Sequence, residues 1–143
     1  MKPDETIDFQ IRWAWYNISR MYNLKANEFG GSMAIGYALL NIDKDGTSST
    51  KLAPKMGMEP RSLTRMIKNL SESGLIKKVS DKSDKRLVKI HLTAKGKIVR
   101  EQAKEVVISF NNKIHAEIDN KDLEICFSVL SKLNKLIDNN NIF

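Results

Sequence analysis

Residues Pro60 to Gly96 read PRSLTRMIKNLSESGLIKKVSDKSDKRLVKIHLTAKG, and the rest of the chain is arranged around this segment. Its spacing predicts a helix, a strand, a short basic tip, a second strand and the start of another helix. Leu63, Met66, Ile67 and Leu70 fall at i, i+3, i+4 and i+7 and so share one helical face. Arg61, Arg65 and Lys68 fall at i, i+4 and i+7 on a different face, and Ser62, Thr64 and Asn69 add neutral hydrogen-bonding groups. Pro60 suits the first helical position, where its missing N–H costs nothing. Gly74 suits the cap after the last turn. Taken alone, this helix is equally compatible with a surface helix whose basic face is only solvated.

The residues that follow favour a binding role. Leu75 to Val79 is strand-like, and Val88, Ile90 and Leu92 alternate with Lys89 and His91, a period of two. Ser80 to Arg86 between them is short, polar and charged, as a hairpin loop should be. It carries Lys82, Lys85 and Arg86, with Lys77, Lys78 and Lys89 on the flanking strands. Thr93 can cap the next helix. A helix able to enter a major groove, beside a cationic tip able to reach a minor groove, is the geometry of a winged helix-turn-helix. Arg86 is the residue suited to a minor groove, whose negative potential attracts arginine. Asp84 would contact DNA poorly and reads better as a local partner that holds the loop or orients an arginine.

The segment resembles the DNA-binding core of the MarR family of bacterial transcription regulators. The resemblance is carried by Leu70, Gly74, Leu75 and Ile76, then Asp84-x-Arg86, then Leu92-Thr93-x-x-Gly96. It extends more weakly over the whole chain through length and helix order. It implies a homodimer whose recognition helices enter successive major grooves and whose wings reach flanking minor grooves. It also implies regulation by a small ligand or by oxidation, with repression relieved by ligand as the default behaviour.

Composition agrees independently. A chain of 143 residues is expected to form one compact domain. Its net charge of +7 is unevenly spread. From Thr47 to Arg100 there are 14 Lys and Arg against 4 Asp and Glu, while both flanking segments are slightly acidic. A localised basic footprint favours a polyanionic partner. There is no apolar run of transmembrane length and no signal-peptide pattern at Met1-Lys2-Pro3-Asp4, so a cytoplasmic protein with no membrane partner is expected. A single cysteine excludes an intrachain disulfide and suits a reducing compartment.

The flanking segments read as scaffold. Ile7, Ile11, Ala14, Ile18 and Met21 form a helical stripe between Glu5 and Phe29, which Gly30-Gly31-Ser32 interrupts. A second helix is expected from Ser32 to Asp43, and a third, short one from the Ser48–Thr50 caps to Met56, ended by Gly57. Pro54 sits about one turn into that helix, a mild departure from helix rules. After Thr93 the pattern is helical to the end, with a break at Asp119-Asn120 and a polar, frayed tail at Asn139-Asn140-Asn141. The fold class is therefore mainly α with a small β-hairpin wing. The organisation is an N-terminal dimerisation helix (1–31), a winged helix-turn-helix (32–97) and C-terminal dimerisation helices (98–143). Apolar stripes of that length at both termini call for a two-fold helical interface, with intramolecular packing as the alternative.

Roles follow from side-chain chemistry. Two copies would read half-sites about 10 base pairs apart. Arg61, Arg65 and Asn69 suit base edges, since Arg pairs with guanine O6 and N7 and Asn with adenine. Ser62, Thr64 and Lys68 suit bases or phosphates, and Ser49, Thr50, Lys51, Lys55, Lys82 and Lys85 suit phosphates. The family resemblance places a ligand pocket between the dimerisation helices and the winged helix. Arg12, Trp13, Trp15, Tyr16 and Arg20 on the first helix, with Tyr37 on the second, would suit an aromatic acid or an acyl-CoA. Rings at helical spacing are, however, more often core or interface.

Other chemistries have little support. The peroxide-sensing members of the family use a cysteine near the N-terminus, which this chain lacks. Cys126 lies beside an apolar stripe with no basic cluster to lower its pKa. His91 and His115 sit in no metal-spaced motif and read as surface residues, and no cofactor is expected. No Gly-rich phosphate loop, nucleophile elbow or HExxH is present, so the chain is not expected to be an enzyme. A winged helix used for protein contact, or a nonspecific DNA-coating protein, remains the alternative function.

Overall fold

The computed structural model describes residues 1–139. A 3-10 turn at Pro3–Glu5 leads into α1 (Ile7–Asn27), followed by α2 (Met33–Leu40), β1 (Thr47–Ser48), α3 (Ser49–Met56), α4 (Pro60–Glu72), β2 (Ile76–Ser80), β3 (Val88–Leu92), α5 (Ala94–Glu117) and α6 (Asn120–Asp138). The chain divides into two compact units, residues 1–106 and 107–143, with α5 running through the division.

The first unit holds the winged helix. Its core takes Ala38 and Leu39 from α2, Ile42 from the turn after it, Leu52, Ala53 and Met56 from α3, and Leu63, Ile67 and Leu70 from α4. Leu75, Ile76 and Ile90 close the core from the sheet side. Leu63, Ile67 and Leu70 stand at i, i+4 and i+7 and Leu52, Ala53 and Met56 at i, i+1 and i+4, so each of these helices offers the core one apolar stripe. The mainly α fold with a hairpin wing is as the sequence predicts. The sheet is antiparallel in the order β1-β3-β2. Ile76 pairs with Leu92 and Ser80 with Val88 in the wing, while Thr47 pairs with Ile90 on the other side of β3.

Several boundaries differ from the sequence reading. The first helix starts at Ile7 rather than Glu5, because Pro3–Glu5 forms its own 3-10 turn. The second helix ends at Leu40, not Asp43. The Asp43 amide instead donates to the buried Thr47 Oγ1 at 2.9 Å, and Thr47 Oγ1 donates back to Asp43 Oδ2 at 3.2 Å. That exchange turns the chain into β1, a third strand the sequence did not announce. Ser48 occupies the N-cap of α3, but its hydroxyl meets Thr50 Oγ1 at 2.9 Å instead of capping the backbone. Pro54 is accommodated inside α3, and Gly57 ends it in the left-handed conformation.

The residues of the Leu-Thr-x-x-Gly motif meet at one junction. Thr93 donates its hydroxyl to the Gly74 carbonyl at 2.6 Å and its amide to the Leu75 carbonyl at 3.1 Å, and its Oγ1 accepts from the Gly96 amide at 3.0 Å. A Cβ on Gly96 would collide with the Leu75 carbonyl oxygen, so only glycine lets α5 start against the strand. Gly74, at φ +71°, supplies the left-handed residue that ends α4.

Residues 107–139 comprise the second half of α5 and α6. Asp119 caps α6 by accepting from the Lys121 amide at 2.8 Å, which gives the break expected there its physical cause. Of the tail expected to fray, Asn140 and Asn141 lie outside the described residues. Only Leu123 of α6 is buried, whereas Ile125, Phe127, Val129, Leu130, Leu136 and Ile137 are exposed. Cys126 is also exposed. Among the described residues, no helix is long and apolar enough to cross a membrane.

Candidate nucleic-acid interface

Helix α4 separates its two faces completely. Leu63, Ile67 and Leu70 are buried, while Arg61, Arg65 and Lys68 are exposed on the side away from the core. Arg61 and Arg65 form no ion pair with any described carboxylate, so their guanidinium groups are available to a partner. Pro60 takes the first helical position as its chemistry favours, and Glu59 precedes it as an exposed N-cap that makes no side-chain cap bond. Thr64 donates its hydroxyl to the Pro60 carbonyl at 3.0 Å. It can therefore only accept from a partner while that bond lasts.

Not all the polar residues of α4 share the outward stripe. Ser62, Arg65, Asn69 and Ser73 line a cavity of about 410 Å³ together with Ser32, Ala34, Ile35, Met58, Met66 and Leu70. Asn69 thus flanks a groove beside the start of α2, and Arg65 stands at the edge shared by groove and stripe. Glu72, absent from the sequence-based set, ends the stripe. It lies eleven residues after Arg61 and seven after Arg65, and its Oε1 sits 3.9 Å from Lys68 Nζ.

The wing tip is an ordered turn built by two aspartates. Asp81 Oδ1 accepts from the Ser83 amide at 2.8 Å, from the Ser83 hydroxyl, and from the Asp84 amide at 3.3 Å. Asp84 accepts from the Arg86 amide at 3.0 Å and from Arg86 Nε at 3.1 Å, with a longer contact to the guanidinium at 3.4 Å. Both carboxyls are held below the ordinary aspartate range. For Asp81 the main cause is the Ser83 hydroxyl, and for Asp84 it is the Arg86 side chain. Asp84 is thus the local partner that the sequence suggested, and Arg86 remains 91% exposed while being held. Lys82 and Lys85 are exposed beside it and form no described ion pair.

Two contacts add to the sequence reading. Lys55 is not a free cation: its Nζ is 2.9 Å from Asp43 Oδ1, which ties α3 to the turn before β1. That contact is also the largest cause of the lowered Asp43 pKa, followed by the Thr47 hydrogen bond. Ser49, Thr50 and Lys51, at the start of α3, are not tied in this way, apart from the Thr50 hydroxyl contact with Ser48. His91 is half-buried rather than a plain surface residue, because its ring covers Gly46, where a Cβ would overlap it.

The residues suited to a ligand fall into separate groups. Trp13 and Tyr16 pack edge to face with ring centroids 5.6 Å apart, and Phe9 lies 6.2 Å from Trp13. Arg12 and Arg20 fall at i−4 and i+4 from Tyr16 on the same helix. Trp15 is two residues from Trp13 and shares neither ring contact. Tyr37 instead sends its hydroxyl to the Met56 carbonyl at 3.5 Å. None of these six residues lines the described cavity. Among the described residues, no group of His, Cys, Asp and Glu is placed to hold a metal ion.

A recognition-type helix packed on a short partner helix, with a hairpin wing behind it, makes this a winged helix-turn-helix. The model of the MarR family matches residues 42–88, which span the short helix, α4 and most of the wing. Solved structures agree over nearly the whole chain. MepR of S. aureus, solved as a DNA complex, superposes with a TM-score of 0.83 at 18% identity, covering 91% of this chain and 97% of that one. CouR of Rhodococcus jostii, solved with p-coumaroyl-CoA, gives 0.81 at 20% identity and covers 93% and 94%. FabT of Streptococcus pneumoniae, solved with DNA, gives 0.75 at 19% identity and covers 93% and 96%. At these identities the likeness establishes the fold. The chain has the winged-helix fold of these structures, and the match of residues 42–88 to the MarR family model falls on the segment that carries the Asp-x-Arg motif.

Proposed function

We propose that the protein is a sequence-specific DNA-binding transcriptional regulator that acts as a homodimer on a roughly palindromic operator, by default as a repressor. The observation that carries this reading is the pairing of two surfaces in one unit. Helix α4 offers Arg61 and Arg65, unpaired among the described residues, for a major groove, and the wing offers Arg86, already aimed by Asp84, for a minor groove. Arg61, Arg65 and Asn69 are assigned to base edges, with Ser62, Thr64 and Lys68 beside them. Ser49, Thr50, Lys51, Lys82 and Lys85 are assigned to phosphates. The exposed apolar side chains of α1, α5 and α6 support a second copy as their cover.

Release of DNA by a small ligand, an aromatic acid or an acyl-CoA, completes the proposal. The Phe9–Trp13–Tyr16 ring ladder, exposed at Trp13 and Tyr16, supports it together with Arg12 and Arg20, since an apolar face beside a cation suits such an acid. The bound states of related folds point the same way: MepR and FabT were solved with DNA and CouR with a thioester.

The test is fluorescence anisotropy of the purified protein with a duplex that it selects from a random-sequence pool, against a shuffled duplex at near-physiological salt. A preference of about 10³ or more is expected. Arg65→Ala should lower that preference by about 1–3 kcal/mol. Equal, salt-sensitive binding to both duplexes would identify a nonspecific coating protein. Binding to neither would make the winged helix a protein-contact module.

A further inference from the structure

Glu72 sits where neither helix stability nor DNA affinity favours a carboxylate. It is the last residue of α4, and a negative charge in the last turn opposes the helix dipole. Its partner Lys68 precedes it by four residues, which is the weaker order for an i,i+4 pair. The carbonyls at this helix end are served from elsewhere, since Lys95 Nζ donates to the Ser73 carbonyl at 3.0 Å. Both side chains of the pair are largely exposed, 72% for Lys68 and 63% for Glu72, so burial does not explain the pairing.

The position of the pair suggests a different role. Recognition helices meet base edges with their N-terminal residues. From Arg61 to Glu72 the helix rises about 16 Å, about twice the roughly 8.5 Å depth of a major groove that it enters by its N-terminal end. The last turn of α4 therefore comes to the groove rim, next to phosphate. The three cations of the stripe differ in just this respect. Arg61 and Arg65 have no carboxylate one turn on, because positions 65 and 69 are Arg and Asn, whereas Lys68 has Glu72. Of the other acidic groups near this surface, Asp81 and Asp84 build the wing turn, Asp43 holds Lys55, and Glu59 stands at the N-cap of α4, where a carboxylate suits the helix dipole.

We propose that Glu72 is a specificity-determining residue that holds the Lys68 ammonium off the phosphate backbone. Sequence-independent binding comes almost wholly from phosphate neutralisation. A cation withheld from phosphate lowers that background while leaving base contacts at the other end of α4 intact. Glu72 thus widens the gap between operator and random DNA without touching a base.

The inference rests on the DNA-binding reading above, and its test separates the two. The salt dependence of binding to the shuffled duplex would be measured for the wild type, Glu72→Gln, Lys68→Ala and the double variant. Glu72→Gln is isosteric and exposed, so the fold is retained. It should tighten binding to the shuffled duplex about threefold and steepen the salt slope by about 0.9, the value of one added phosphate contact. The selected duplex should gain less, so the preference falls. In the Lys68→Ala background the steepened salt slope should be absent, and only the smaller gain from removing a negative charge near phosphate should remain. An unchanged slope in Glu72→Gln, or the same gain without Lys68, would overturn the inference while the DNA-binding reading stands. Wild-type protein that binds neither duplex would overturn that reading itself.

Discussion

Helices α4 and α6 both carry apolar stripes, yet α4 buries three residues of thirteen while α6 buries only Leu123 of nineteen. Helix α1, at 21 residues, buries none. The winged-helix segment satisfies its apolar face within the chain, and the terminal helices do not. Periodicity thus identifies which face must be covered but not which molecule covers it. The contrast has a thermodynamic signature. Leu39→Ala should cost about 2–5 kcal/mol at every protein concentration, because Leu39 is wholly enclosed by its own chain. Phe127→Ala, at an exposed position of α6, should lower the melting temperature only as far as it weakens assembly. Its effect should therefore grow on dilution. Melting curves over a hundredfold range of concentration would decide, and a concentration-independent loss in both variants would break the contrast.

The glycines of the first unit sharpen the same point on a smaller scale. Gly96 is buried against the Leu75 backbone, and Gly57 has no neighbour near its missing Cβ but a φ of +62°. Gly96→Ala should cost about 3 kcal/mol, the upper range for overpacking, because the obstacle is backbone and cannot swing aside. Gly57→Ala should cost about 1–2 kcal/mol, from left-handed strain alone. Urea midpoints of the two variants give the comparison, and equal losses would show that the junction of Thr93, Leu75 and Gly96 can relax.

The legible parts of the molecule are those in which neighbours in sequence are neighbours in space. The stripe of α4, the hairpin register from Ile76 to Leu92, and the Asp84–Arg86 pair all lie within such short reach. The two-residue strand β1 escaped notice because Thr47-Ser48 is too short to show a period. The Lys55–Asp43 pair spans twelve residues, and the cover of Gly46 by His91 spans forty-five, so neither leaves a local pattern. The aromatic residues of α1 are a different case. Trp13 and Trp15 stand close in sequence, but a separation of two on a helix places them on different faces, and only Trp13 joins Phe9 and Tyr16. Glu72 could have been found by extending the i, i+4, i+7 series one step to i+11.

The lysines of the proposed DNA surface divide in the same way, into those already partnered and those free. Lys82 is exposed at the wing tip without an ion pair, and Lys55 is held by Asp43. Lys82→Ala should reduce the salt slope of DNA binding by about 0.9, one phosphate contact. Lys55→Ala should leave the slope nearly unchanged and act through the turn before β1 instead. Equal changes in slope would mean that DNA pulls Lys55 away from Asp43.

The smallest expected effect concerns the wing tip, which has almost no core and depends on two carboxylates. Asp81 and Asp84 are both held below the ordinary aspartate value of 3.8 by hydrogen bonds that only the ionised form accepts fully. A group whose folded pKa is depressed contributes order that is fully present above its unfolded pKa. That contribution is lost as pH falls through the folded value. The turn should therefore be unchanged between neutral pH and about pH 5, and should loosen below the ordinary aspartate value. Both groups lie at the wing tip, away from the core, so the change is local and leaves the core of α2, α3 and α4 in place. Amide exchange at Ser83, Asp84 and Arg86, followed by NMR from pH 6 to pH 3, would register it as faster exchange at those three amides alone. In Asp81→Asn the part due to Asp81 should be absent, with the Ser83 and Asp84 amides already faster at pH 6. If these amides instead keep their protection down to pH 3, backbone bonds such as Asp81 N–H to the Leu87 carbonyl at 2.8 Å hold the wing without the carboxylates.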